Sequence, residues 1–169
     1  MEFKIATKEN VHAIMEIIQK AQTYLKEQGI NQWQNNYPNS ETINNDIQNN
    51  NGYILIKDNV IIGTVAVIVG PDKTYKSIYN GEWITDGKYT VIHRMAVNPD
   101  YHGLGLATKI IKQVEEMCKS KGIPSMKVDT HKENRLMQKV LLKSGFIYCG
   151  IIYLEDGNER MAFEKVIKV

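Results

Sequence analysis

The sequence is poor in several things, and each shortage excludes something. Two cysteines in 169 residues cannot build a disulfide framework, and they fit a reduced, cytoplasmic protein. The longest apolar run, Val60 to Val69, is about half of what a membrane helix needs, so no membrane partner is expected. The opening MEFKIATKEN has no apolar h-region, so no secretory leader is expected either. Charge of one sign is also lacking: 21 Lys plus Arg stand against 19 Asp plus Glu, a net of +2. A nucleic-acid binder usually carries a clear basic excess, so no nucleic-acid partner is expected. A Walker loop is absent. A dinucleotide fingerprint fails at Thr108, where its third glycine should stand.

What is present is 43% apolar residues, enough in a chain of this length for one domain spanning residues 1–169 with a real core. Asparagine is the visible bias: residues 31 to 51 hold nine of fifteen. Such composition can mean disorder, but Trp33 and Tyr37 in the same stretch argue against a plain solvated linker.

Spacing gives the order of elements. Glu2 to Ala6 reads as a strand. Val11, Ile14, Ile18, Ala21 and Leu25 mark an amphipathic helix from Lys8 to about Glu27, capped by Thr7 and ended by Gly29. Ser40 is the expected cap of a short helix burying Ile43 and Ile47. Tyr53–Lys57 and Val60–Val69 flank Asp58-Asn59, a hairpin signal. Residues 71 to 88 look irregular. Tyr89 to Val97 is a strand with Tyr89, Val91, His93, Met95 and Val97 on one face and Thr90, Ile92, Arg94 and Ala96 on the other. A helix from about Leu104 to Lys121, a strand from Met126 to Thr130, a helix from Asn134 to Ser144 and a hairpin across Asp156-Gly157 complete the chain. The expected fold is α/β of the α+β kind: a mixed, mostly antiparallel sheet of about seven strands, flanked by about four helices.

The most informative stretch is His102-Gly103-Leu104-Gly105-Leu106-Ala107, between a strand and a helix. Glycines there allow a tight turn and close approach of backbone to ligand, and the first helical turn offers unpaired N–H groups to an anion. The same glycines also serve a plain tight turn. With Met95-Ala96-Val97-Asn98-Pro99 before it, the segment resembles the signature [QR]-x-x-G-x-[GA] of the GNAT superfamily of acetyl-CoA-dependent N-acetyltransferases. His102, Gly105 and Ala107 take the motif positions, His102 replacing the usual Gln or Arg. Asn134, Leu142, Gly145 and Phe146 resemble the family's later N…LYEKLGF segment, and the order of elements agrees along the chain.

The resemblance implies acetyl-CoA as cosubstrate and no metal. It implies a central strand splayed from its neighbour, with the backbone of Met95, Ala96 and Val97 along the pantetheine arm. It implies pyrophosphate held by backbone groups at His102, Gly103, Leu104, Gly105, Leu106 and Ala107, extended to Thr108, and Asn134 beside the thioester end. The acceptor implied is a primary amine of a small molecule, amino acid or peptide; a protein lysine or N-terminus, or a non-catalytic acyl-CoA-binding module, stays open. A homodimer is compatible with the family.

Transfer to an amine requires loss of a proton, since an alkyl ammonium has a pKa near ~10. His93, Glu82, Asp129 and His131 are candidate bases, with His93 first for its intrinsic pKa and because arylalkylamine members of the superfamily use a histidine at this strand position. The general acid is less determined: Leu141 stands where many members have tyrosine, which leaves Tyr148, Tyr153 or unassisted departure of the thiolate. Tyr24, Trp33, Tyr37, Glu82 and Trp83 are the expected acceptor wall, suited to a cationic or aromatic amine. Each also reads as ordinary packing or surface. Residues 102 to 145 carry nine Lys or Arg against four Asp or Glu, a net of +5, leaving 12 against 15, or −3, elsewhere. A basic segment suits coenzyme A phosphates, and an acidic remainder a cationic acceptor.

Overall fold

Period-two and period-3.6 stretches fold as their spacing predicts, with ends moved by a few residues. The structure, a computed structural model, describes Met1–Val169. Its elements are β1 (Glu2–Ile5), α1 (Val11–Glu27), α2 (Ser40–Gln48), β2 (Gly52–Lys57), β3 (Val60–Val69), β4 (Thr90–Val97), α3 (Leu106–Ser120), β5 (Ser125–Thr130), α4 (Arg135–Lys143), β6 (Ile147–Tyr153) and β7 (Glu159–Val166). The strands hydrogen-bond in the order β1-β2-β3-β4-β5-β7-β6. β4 and β5 are parallel; β1/β2, β2/β3, β5/β7 and β6/β7 are antiparallel. This is the mixed seven-strand sheet with four helices expected from the pattern. No helix is long and apolar enough to cross a membrane.

Two caps differ from expectation. Asn39, not Ser40, caps α2: its Oδ1 accepts the Thr42 N–H at 3.0 Å from an extended residue, the geometry a cap needs. Thr7 caps only a short 3-10 turn, Lys8–Asn10, and α1 follows with Asn10 as its cap residue. The hairpin between β2 and β3 turns as predicted. Asp58 and Asn59 both have positive φ, 50° and 64°, as a type I′ turn requires.

By compactness the chain forms two units. The first comprises Met1–Val67 and His93–Ile110. Its core gathers Ile14, Ile17 and Ile18 of α1, Ile43 and Ile47 of α2, Ile54 of β2 and Ala96 of β4. Gly63 on β3 admits Ile110 at the start of α3; a Cβ there would stand 2.9 Å from the Ile110 Cδ1. The second unit comprises Ile68–Ile92 and Ile111–Val169. Tyr75, Val91, Ile152 and Ala162 form a buried cluster there, with Ile78, Trp83 and Tyr89 against it.

The Asn-rich segment is ordered, and its composition has a physical reason. Trp33, Asn35 and Asn36 have φ near +60°. Asparagine tolerates that left-handed region better than most residues. The segment is fastened to α1 by hydrogen bonds from the Gln22 Nε2 to the Pro38 carbonyl at 3.0 Å and from the Gln34 Nε2 to the Gln22 carbonyl at 3.2 Å. Trp33 packs against the first unit's core.

Candidate functional site

The parallel ladder between β4 and β5 covers Thr90 and Val91. Three residues on, Arg94 has φ +51° in the middle of β4. A left-handed arginine inside a strand marks a local, bulge-like irregularity, costing about 1 kcal/mol or more of backbone strain. Met95 and Ala96 beyond it are both buried, as Val91 and Ile92 before it are, so β4 is covered on both faces. His93, half-buried, stands immediately before the bulge.

The Arg94 side chain leaves this bulge toward α2. Its Nε donates to the Asp46 Oδ2 at 2.7 Å, its Nη2 to the Asp46 Oδ1 at 2.5 Å, and its Nη1 to the Tyr37 hydroxyl at 3.0 Å. Asp46 is nearly buried, so the two-pronged pair is shielded from water. Of the three, the sequence singles out only Tyr37, as an acceptor-wall candidate, and neither charged partner. An acidic residue between Ile43 and Ile47 of a helix is a weak signal in a polar, Asn-rich helix.

β4 runs out at Val97, where the Asn98 N–H donates to the Ile62 carbonyl at 2.8 Å and the Asn98 Oδ1 accepts from the Asp100 N–H. A 3-10 turn at Pro99–Tyr101 follows. The ring Nδ1 of His102 lies 3.1 Å from the Pro99 carbonyl, so this side chain folds back on its own turn. Gly103 and Gly105 have φ of +82° and +64°, and a Cβ on either would meet nothing within 4 Å. The glycines are therefore required by conformation, with open space above them. The first bond of α3 runs from the Lys109 N–H to the Gly105 carbonyl. The N–H groups of Leu106, Ala107 and Thr108 thus have no carbonyl one turn back within the helix. Left-handed glycines, an open face and a helix start together make an anion cradle.

The expected acceptor residues of the first unit are spread over three settings. Tyr24 on α1 and Tyr37 are each 43% exposed, while Trp33 is partly buried on the core.

In the second unit, Trp83 stacks on Tyr75 with centroids 5.4 Å apart, and its Nε1 donates to the Tyr75 carbonyl at 2.9 Å. The Lys127 ammonium lies 4.3 Å from the Trp83 ring centroid and 4.1 Å from that of Tyr89. Burial holds the Lys127 pKa below the ordinary lysine value, against the pull of Glu164. Tyr75 donates its hydroxyl to the Asp129 Oδ2 at 2.6 Å. Burial and the Asp129 charge push the Tyr75 pKa well up, so this phenol stays a donor. Asp129 is thereby engaged by a partner that the sequence did not disclose.

Glu82 is exposed, and Tyr148 on β6 meets Phe163 edge-on at 5.7 Å. The His131 Nδ1 accepts the Glu133 N–H at 3.0 Å, shaping the turn into α4, and burial holds its pKa down. Asn134 caps α4, its Oδ1 accepting the Met137 N–H at 3.2 Å. Leu141 is fully buried. Cys118 and Cys149 are free and buried, with burial raising both thiols, which suits packing and not nucleophilic attack.

The sequence model of the acetyltransferase (GNAT) family matches residues 12–146. Among solved structures, a GNAT-family acetyltransferase from Streptococcus agalactiae is 32% identical, with a TM-score of 0.91 over 99% of this chain and 96% of that one. The PaiA N-acetyltransferase from Thermoplasma acidophilum, in complex with coenzyme A, shares the fold at 16% identity, TM-score 0.70, with 98% of each chain covered. A ribosomal-protein-alanine N-acetyltransferase from Brucella melitensis does so at 13% identity and TM-score 0.71, covering 99% of this chain and 100% of that one. No curated protein sequence matches significantly.

Proposed function

Because the chain belongs to the GNAT family of acetyltransferases, we propose that it moves an acetyl group from acetyl-CoA to a primary amine of a small molecule, amino acid or peptide, both substrates being held together. The observation that carries this is the cradle: left-handed Gly103 and Gly105 before a helix whose first N–H groups lack intrahelical partners. Its fit to a pyrophosphate follows from those main-chain donors and from the absence of any atom near the glycines' missing Cβ positions.

In this reading the N–H groups from Gly103 to Thr108 receive the phosphates. The backbone of Met95, Ala96 and Val97, beyond the bulge, runs along the pantetheine arm. The thioester supplies an activated acyl carbon: the amine forms the C–N bond, the C–S bond breaks, and coenzyme A leaves as its thiolate. The Val97 N–H polarises its carbonyl, and holding both reactants in one site replaces a covalent enzyme intermediate. His93, next to the bulge, takes the proton that the acceptor ammonium must lose. Tyr24, Trp33 and Tyr37 are the acceptor-side residues on the same unit.

Calorimetry with acetyl-CoA, followed by a thiol-release screen across amines, amino acids and peptides, tests the reading. One-to-one binding and turnover on one acceptor class are expected. No binding overturns the cofactor assignment; binding without turnover on any amine overturns the catalytic one and leaves a binding module. On the acceptor so found, His93→Ala should lower kcat/KM about 100-fold or more and remove the acidic limb of its pH profile. A full profile at near wild-type rate would strike His93 from the base role.

A further inference from the structure

Arg94 joins the backbone irregularity in β4 to the Asn-rich segment and α2. Its φ of +51° is the bulge. Its guanidinium makes three hydrogen bonds on the other side, with Nε and Nη2 on Asp46 and Nη1 on Tyr37. The Arg94 side chain is 13% exposed and that of Asp46 7%, so the pair is not a rim contact that water would loosen. A bulge re-aims the side chain it carries. Here it aims the arginine at the one acidic side chain buried on α2, flanked by core residues Ile43 and Ile47.

The fork geometry makes the link directional. A guanidinium held by two parallel bonds to one carboxylate fixes distance and orientation together. A shift of the β4 backbone at this point must be followed by Asp46 and Tyr37, or the three bonds break. Tyr37 sits at the outer end of this chain, 43% exposed, where its ring faces solvent while its hydroxyl is held.

We propose that Arg94 is a positioning residue that couples the acyl-arm backbone of β4 to the acceptor-side segment 31–48, so that filling the cofactor site stiffens the acceptor site. The proposal rests on acetyl-CoA binding at β4 and the glycine turn. Arg94 touches neither substrate. It transmits the state of β4 through Asp46 to α2 and through Tyr37 to the Asn-rich stretch. Acceptor selectivity can then be tuned at Asp46 and Tyr37 without altering the cofactor cradle.

The test is hydrogen exchange on the full chain with and without acetyl-CoA. In the wild type, acetyl-CoA should slow exchange at β4 and the glycine turn. It should also slow exchange across residues 31–48 by about 10-fold. Arg94→Met with Asp46→Leu replaces the buried pair by apolar groups of similar volume, an exchange that folds often tolerate. In that double variant, acetyl-CoA should still bind and still protect the turn, while protection of 31–48 disappears. Asp46→Asn, which keeps the shape and loses the charge, should give an intermediate result. A purely structural role would alter the basal exchange of 31–48 but not its response to acetyl-CoA. If the wild type binds and residues 31–48 do not respond, or if the double variant responds as the wild type does, the coupling is overturned. If the wild type does not bind acetyl-CoA, the functional reading fails instead.

Discussion

Glu164→Ala should cost the fold about 3–5 kcal/mol, the scale of removing one member of a buried charge pair. Glu164 lies fully buried on β7. One carboxylate oxygen accepts from the Ser125 hydroxyl at 2.7 Å and, closely, from the Thr85 hydroxyl. The other accepts the N–H groups of Ile84 at 2.7 Å and Thr85 at 3.3 Å. Across the ladder its register partner is Lys127, itself buried between two aromatic rings. Truncation therefore strips four donors of their acceptor and removes the largest negative influence on the Lys127 ammonium. The Lys127 pKa, already lowered by burial, should fall further, since the Glu164 charge is the largest of those that pull it up. Equilibrium unfolding in urea reads the loss. Glu164→Gln, which keeps one acceptor oxygen, should lose clearly less. An alanine variant within 1 kcal/mol of wild type would show that these contacts contribute little.

Gly81→Ala should be the second large loss, about 3 kcal/mol, because the clash is between backbones. A Cβ at Gly81 would stand 1.9 Å from the Cys149 carbonyl oxygen and 2.9 Å from its carbon. The approach is fixed from both sides. Tyr79 and Ile151 exchange two backbone hydrogen bonds of 2.8 Å, and a Cβ on Gly150 would stand 2.6 Å from the Tyr79 carbonyl. Neither strand can retreat without breaking that bridge, so the irregular segment should detach from β6. Thermal and urea unfolding report the cost, and faster proteolysis between residues 71 and 88 reports the detachment. Gly87→Ala is the matched control. Nothing lies within 4 Å of its missing Cβ, so its stability should stay within about 0.5 kcal/mol of wild type.

Both predictions concern residues 71–88, where the sequence predicts no regular element and offers Glu82 and Trp83 only as site candidates. The reason is physical. Glu164 and Lys127 look like ordinary charges on alternating strands, and Asp129 like a candidate base. Only the pairing of β5 with β7 shows that Glu164 and Lys127 face one another, and only the path of the loop puts Thr85, Trp83 and Tyr75 on them. Local signals were readable where the cause is local. Asp58-Asn59 turns as its dipeptide demands, α3 follows its apolar spacing, and the glycine turn lies where Gly103 and Gly105 announce it. The bulge at Arg94 is the intermediate case. Nothing about arginine favours positive φ, so strict alternation through β4 was the natural expectation. The compensation sits about fifty residues upstream, at Asp46, beyond the reach of any window.

The glycine turn has a bearing on how the gene can vary. Its donors belong to the main chain, so the cradle is written in chain geometry and not in side-chain identity. A saturation scan should find His102, Leu104 and Thr108 permissive for cradle shape, with Gly103 and Gly105 resisting most substitutions and asparagine the best tolerated. The clamp on the other flank is the reverse, since Arg94, Asp46 and Tyr37 act through particular atoms. Under the proposed function, lineages descended from this chain can explore new acceptors by drift at a few side chains, while the donor half is held by the geometry of two residues that have none.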